Sequence, residues 1–212
     1  LQTYLKQAKQ KGRKTGFVPT MGALHRGHLS LLQQCKSHTD ISICSIFVNP
    51  TQFNDPADFE KYPSTVNADI EQLLGCGTDV LFLPSVAEIY PNGTATPKHY
   101  ELGFLETVLE GKYRPGHFQG VCQVMHKLLD VVQPDDLFMG QKDYQQYMVV
   151  QQLILNEHIN TRLHIAPTLR ETDGLAMSSR NMRLSSEQRS TATTIYKVLL
   201  QMRAQLQEGS LE

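Results

Sequence analysis

Residues 15–36 read TGFVPTMGALHRGHLSLLQQCK. Thr15 to Pro19 is a short apolar run closed by proline, and from Gly27 onward apolar residues recur at helical spacing. The stretch therefore reads as a strand, a polar loop and a helix. The same alternation returns downstream: a strand over Ile41 to Val48 and a helix near Thr65 to Cys76, then a strand over Asp79 to Leu83 and a helix near Phe118 to Val132. It continues with a strand over Leu137 to Met139, a helix over Tyr144 to Glu157 and a strand over Arg162 to Ala166. Strands that alternate with helices pair in parallel, and their right-handed crossovers cover both faces, so the expected fold is a doubly wound α/β sheet. The Pro-, Gly- and Asn-rich segment Pro84 to Pro115 is the main irregular insertion. Ser185 and Gln188 form a capping-box pattern opening a helix to about Glu208, with Gly209 as its stop.

Composition narrows the function. Twenty Lys and Arg against twenty-one Asp and Glu leave a net charge of −1, so no basic excess is available to hold a nucleic acid by counterion release. No apolar run approaches the ~18 residues of a membrane span, and the first fifteen residues lack a signal-peptide core. A soluble cytoplasmic protein is expected. Cys35, Cys44, Cys76 and Cys122 are too widely spread for a CxxC metal pair and read as reduced core thiols. The chain opens with Leu1 in place of Met, from which a trimmed N-terminus is expected.

Ligands of an open parallel sheet bind beyond the carboxyl ends of its strands, and four such ends carry polar clusters. They are Thr20 to His28, Val48 to Phe53, Gly140 to Gln146, and Pro167 to Arg170 leading on to Met177 to Asn181. In the first, His25 and His28 flank Gly27 at the mouth of a helix. Helix amides and the positive dipole end attract an anion, Gly27 permits close approach, and two imidazoles can donate to phosphoryl oxygens. A metal site and a solvated helix cap are the other readings of the pair. Zinc would want a third ligand, and none recurs near a neighbouring strand end.

The His25–His28 fragment resembles the HIGH motif of the nucleotidyltransferase superfamily. Together with FVNPTQF, YRPGHFQGV, GQKDYQQ and MSSRN, in this order, VPTMGALHRGH resembles the pantothenate synthetase (pantoate:β-alanine ligase) family over about residues 15–190. The resemblance implies ATP-dependent adenylation of (R)-pantoate with loss of pyrophosphate. Attack by the β-alanine amine follows, in a Mg²⁺-dependent cytoplasmic homodimer with no nucleic-acid or membrane partner.

On that resemblance Met21, Gly22, Ala23, Leu24, His25, Arg26, Gly27 and His28 cradle ATP, with His28 as the active-site proton donor and His25 beside it. Gly140, Gln141, Lys142 and Asp143 complete the phosphate side, with Lys142 catalytic alongside the two histidines. The Leu169 backbone faces adenine. Met177, Ser178, Ser179 and Arg180 are the counterpart of the synthetase KMSKS loop, clamping the β- and γ-phosphates. Such chemistry asks for fixed donors and cations, because negative charge builds on phosphate in the transition state. Gln52 and Gln146 are implied on pantoate, where neutral amides suit the hydroxyls and leave the carboxylate nucleophilic. His117 either lies near this pocket or is structural, and His38, His99, His126, His158 and His164 read as ordinary surface or core histidines.

Two departures from the family pattern stand out. In YPSTVNADIEQL, Ala68 occupies the position of an acidic residue that helps hold Mg²⁺, leaving Asp69 as the candidate metal carboxylate, although ATP phosphates and water can hold Mg²⁺ largely unaided. Family members also continue for seventy residues or more into a small C-terminal domain. The expected organisation is thus a Rossmann-like ATP- and pantoate-binding domain over 1–175 and the start of an incomplete lid over 176–212. The alternatives are another HxGH nucleotidyltransferase and a nucleotide-binding module that lacks catalysis.

Overall fold

A computed structural model describes residues 1–95 and 98–209; Thr96 and Pro97, within the expected insertion, lie outside the described residues. The chain runs α1 (Gln2–Gln10), β1 (Thr15–Thr20), α2 (Arg26–His38), β2 (Ile41–Ile46), α3 (Pro56–Glu60), α4 (Val66–Gly75), β3 (Val80–Phe82) and α5 (Val86–Ile89). It goes on through α6 (Leu109–Tyr113), α7 (His117–Val132), β4 (Asp136–Gly140), α8 (Tyr144–Asn156), β5 (Arg162–Ala166), α9 (Ser186–Ala192) and α10 (Thr194–Gln207).

The five strands pair in parallel in the order β3-β2-β1-β4-β5. Each strand divides its side chains between two cores because successive residues point to opposite faces. Phe17, Ile43 and Leu137 enter the layer with α1, α7 and α8, whereas Val18, Cys44 and Phe138 enter the layer with α2 and α4. All six are fully buried or nearly so, each large side chain contributing roughly 1.5–3 kcal/mol. Carboxylates fix the register at the edge remote from the site. Asp135 accepts the Thr15 N–H at 2.7 Å, and Asp79 accepts the Ser42 N–H at 2.8 Å.

Strand order reverses between β1 and β4, which opens a crevice at their carboxyl ends. The expected doubly wound sheet is therefore present. One element differs: the helix expected from Ser185 to about Glu208 is two, divided at Thr193. Here Thr191 and Thr193 donate their hydroxyls to the carbonyls of Glu187 and Ser190, and such side-chain bonds compete with the helical ladder. The capping box at Ser185 and Gln188 is formed in both directions. α10 meets the rest of the chain through Tyr196, whose ring lies 4.2 Å from the Arg170 guanidinium.

All four cysteines are free, but Cys76 is only half-buried, so three of the four lie in the core as expected. Cys35, Cys44 and Cys122 are buried, and burial pushes the thiols of Cys44 and Cys122 up to about 12.

Candidate active site

A cleft of about 800 Å³ opens at the carboxyl ends of β1, β4 and β5. Its floor is the loop between β1 and α2. His25 caps α2, and its ring Nδ1 accepts the Gly27 N–H at 3.1 Å. His28, one turn on, accepts the His25 N–H at its own Nδ1 at 3.2 Å. Accepting at Nδ1 places the ring proton of each neutral imidazole on Nε2. Two N–H donors thus stand side by side, their ring centroids 4.0 Å apart. A Cβ on Gly27 would come within 2.8 Å of the His25 ring, so the glycine is required by the packing of the pair.

Both imidazoles are held neutral. Burial drives His28 down to about 3, reinforced by His25 and Lys142. His25 is lowered too, first by burial and then by Lys142. The pair therefore donates hydrogen bonds at neutral pH without carrying charge, and the cationic charge is left to Lys142 across the switch point. Lys142 is half exposed and pairs with Asp143 at 3.1 Å.

The loop itself is clamped from behind. The Asp69 carboxylate accepts the N–H groups of Ala23 at 3.0 Å and Leu24 at 2.8 Å, and the Thr65 hydroxyl at 3.2 Å. Asp69 is 1% exposed, and Ala23 has a left-handed φ of 48°. The side chain expected to face Mg²⁺ is thus engaged with backbone, lining a smaller cavity of about 250 Å³ beside the cleft. Among the described residues, no group of three or more His, Cys, Asp or Glu could hold a metal ion. The residues present do not fit a protein-built Mg²⁺ site.

Of the other expected ATP residues, Met21, His25, Gly27, His28 and Gly140 line the cleft with Lys142 and Asp143. Leu169 and Met177 join them, tied by the Met177 N–H to the Leu169 carbonyl at 3.0 Å, and Ser178, Ser179 and Arg180 follow. Five expected contacts lie off its wall. Gly22 lines the smaller cavity, the Leu24 side chain fills the core, Ala23 gives its N–H to Asp69, and Arg26 and Gln141 are exposed.

The side of the cleft that carries Gln52 is built on the turn Pro50–Gln52. Buried Asn49 donates to the Gln52 side-chain oxygen at 3.2 Å and to the Gly120 carbonyl at 3.2 Å, while Tyr90 donates to Asn49 at 2.7 Å. His117 shows both features its sequence left open: its Nδ1 donates to the Gln52 carbonyl at 2.7 Å, and it also lines the cleft. A Cβ on Gly120 would overlap the Thr51 carbonyl, so α7 lies against this turn. Gln146 faces the same cleft from α8. The role of Asn49 does not show in FVNPTQF, because an asparagine before proline reads as a turn and nothing local distinguishes a buried one.

A carboxylate closes the far side. Asp58 binds Arg180 at 3.0 Å and Arg183 at 2.8 Å, and these bonds, Arg183 foremost, hold its carboxyl below the usual range.

A doubly wound sheet with an HxGH loop at its switch point defines a nucleotidyltransferase-type fold. The family model described as pantoate-beta-alanine ligase matches residues 1–212. The pantothenate synthetase of Cytophaga hutchinsonii is 45% identical over 211 residues, covering 100% of this chain and 74% of that protein. A crystal structure of pantothenate synthetase from Thermus thermophilus superposes with a TM-score of 0.88 at 44% identity, covering 92% of this chain and 71% of that one. The Francisella tularensis pantoate-beta-alanine ligase complexed with beta-gamma ATP and beta-alanine gives a TM-score of 0.85 at 46% identity, covering 92% and 77%. The chain belongs to the pantoate-beta-alanine ligase family.

Proposed function

We propose that this cleft condenses (R)-pantoate with β-alanine at the expense of ATP, through a pantoyl-adenylate intermediate. The observation that carries this reading is the pair of neutral imidazoles, whose ring protons sit on Nε2 while Nδ1 is taken by backbone, opposite Lys142. A pantoate carboxylate oxygen attacks the α-phosphorus, the bond to the β-phosphate oxygen breaks, and pyrophosphate leaves. The Nε2–H groups of His25 and His28 donate to the oxygens on which charge accumulates, and Lys142 supplies the positive charge. His28 acts here as a hydrogen-bond donor and not as an acid that surrenders its proton. Ser178, Ser179 and Arg180 hold the departing phosphates, Leu169 faces adenine, and Gln52 and Gln146 orient the pantoate hydroxyls.

In the second step the β-alanine amine attacks the acyl carbon, the acyl–oxygen bond to AMP breaks, and the amine loses a proton as pantothenate forms. Mg²⁺ and a homodimeric, cytoplasmic enzyme belong to this proposal through the family resemblance, as does a lid beginning at 176. No described helix is long and apolar enough to cross a membrane.

Incubation with ATP, (R)-pantoate and β-alanine, followed by mass spectrometry, tests the reading. Equal amounts of pantothenate, AMP and pyrophosphate are expected, with no pantothenate when any substrate is omitted. ADP and phosphate in place of AMP and pyrophosphate would overturn it.

A further inference from the structure

The motif GQKDYQQ ends in two glutamines, and adjacent residues on a helix point about 100° apart. Gln146 faces the cleft. Gln145 also borders it, but is 8% exposed and uses its whole amide on one stretch of backbone. Its Nε2 donates to the carbonyls of Leu105 at 2.8 Å and Val108 at 2.9 Å, and its Oε1 accepts the Glu110 N–H at 3.0 Å. Between these anchors lies Leu109, which opens α6 with a φ of 47°. That left-handed conformation is unfavourable for leucine, and such outliers persist where surrounding structure enforces them.

The enforced turn faces the site. Leu109, Glu110 and Arg114 all line the cleft, and Leu109 is 69% exposed there. Arg114 pairs with Glu110 at 2.9 Å and reaches toward the Gln52 carbonyl, which His117 also holds. One buried amide on α8 therefore ties the turn at 105–110 to the helix that carries Gln146, while Glu110 at the end of that turn holds Arg114, which reaches the Gln52 carbonyl.

We propose that Gln145 is a positioning residue for the acyl substrate: it locks Leu109 in its left-handed conformation and so sets the wall between Gln52 and Gln146. The proposal rests on the reading of those two glutamines as pantoate contacts. The amide of Gln145 is spent on the turn at 105–110, so its effect belongs to pantoate and not to ATP.

The test is steady-state and exchange kinetics on the full chain with (R)-pantoate and ATP varied separately. Gln145→Leu strands two carbonyls and one N–H, and should raise the KM for pantoate about tenfold or more while leaving the KM for ATP within about twofold. Glycine adopts positive φ readily, so adding Leu109→Gly to Gln145→Leu should bring the pantoate KM down to within about threefold of the Leu109→Gly single variant, which serves as the reference. A purely structural role would lower the melting temperature without separating the two KM values. Should Gln145→Leu not fold, Gln145→Glu is read instead, since it keeps the acceptor for Glu110 and loses both donors. An unchanged pantoate KM, an equal rise in both KM values, or no rescue by Leu109→Gly overturns the proposal. Wild-type protein with no dependence on pantoate at all would instead refute the underlying reading of the site.

Discussion

The ring of His28 accepts the backbone N–H of His25 through Nδ1 at 3.2 Å, with the two imidazole centroids 4.0 Å apart. Two imidazolium ions at that separation would repel each other beside Lys142, and burial already disfavours charge, so His28 titrates only at about 3. The unfolded chain takes up this proton near 6.5, so between those values it binds more protons than the folded protein. Stability linked to His28 is therefore intact above pH 6.5 and falls as the pH drops from there toward 3. In NMR titration of the free protein the His28 ring resonances should show no inflection between about pH 5 and 8. His28→Gln should lose less stability between about pH 7 and 4 than wild type does. An inflection near the ordinary 6.5 would contradict the neutral pair.

Asp69 makes a second test of the same loop. Asparagine offers one acceptor where the carboxylate offers two, so Asp69→Asn leaves the Ala23 or Leu24 N–H facing an amide NH₂. Chemical denaturation in the presence of a chelator should show a loss of about 1–3 kcal/mol, together with a higher KM for ATP. A carboxylate serving only a metal would leave the metal-free stability unchanged.

The Asp58 bridge bears on Arg180. Held by Asp58 at 3.0 Å, Arg180 in the proposed role shares its charge between that carboxylate and incoming phosphates. Exposed ion pairs are worth about 0–1 kcal/mol, so Asp58→Asn should tighten ATP binding by up to about fivefold at low salt. That gain should shrink as salt screens the pair. Calorimetric titration with ATP checks this, and weaker binding in the variant would show that Asp58 supports the loop instead of competing for it.

Much of this architecture is written locally. Apolar runs such as Ile41 to Val48 and the helical spacing after Gly27 mark strands and helices whose ends fall within about two residues of those observed. The break at Thr193 is not legible, because threonine hydroxyls choose between solvent and their own helix according to packing. The proposed phosphate side is legible in HxGH and GQKDYQQ, since helix mouths and glycine carry their chemistry in sequence order. The roles of Asp69, Gln145 and Asp58 are hidden for a shared reason. Each acts through partners distant in the chain, Asp69 across 46 residues to Ala23 and Asp58 across 122 to Arg180. A carboxylate or amide bound to remote backbone or a remote side chain looks, in sequence, like any surface Asp or Gln.

Activation of the acyl group before the amine arrives is what the proposed chemistry most depends on. Exchange of labelled pyrophosphate into ATP, measured with (R)-pantoate present and β-alanine absent, isolates that half-reaction. The expected exchange depends on pantoate, needs no β-alanine, and falls far more in His28→Ala or Lys142→Ala than pantoate affinity does. No exchange until β-alanine is added would contradict it.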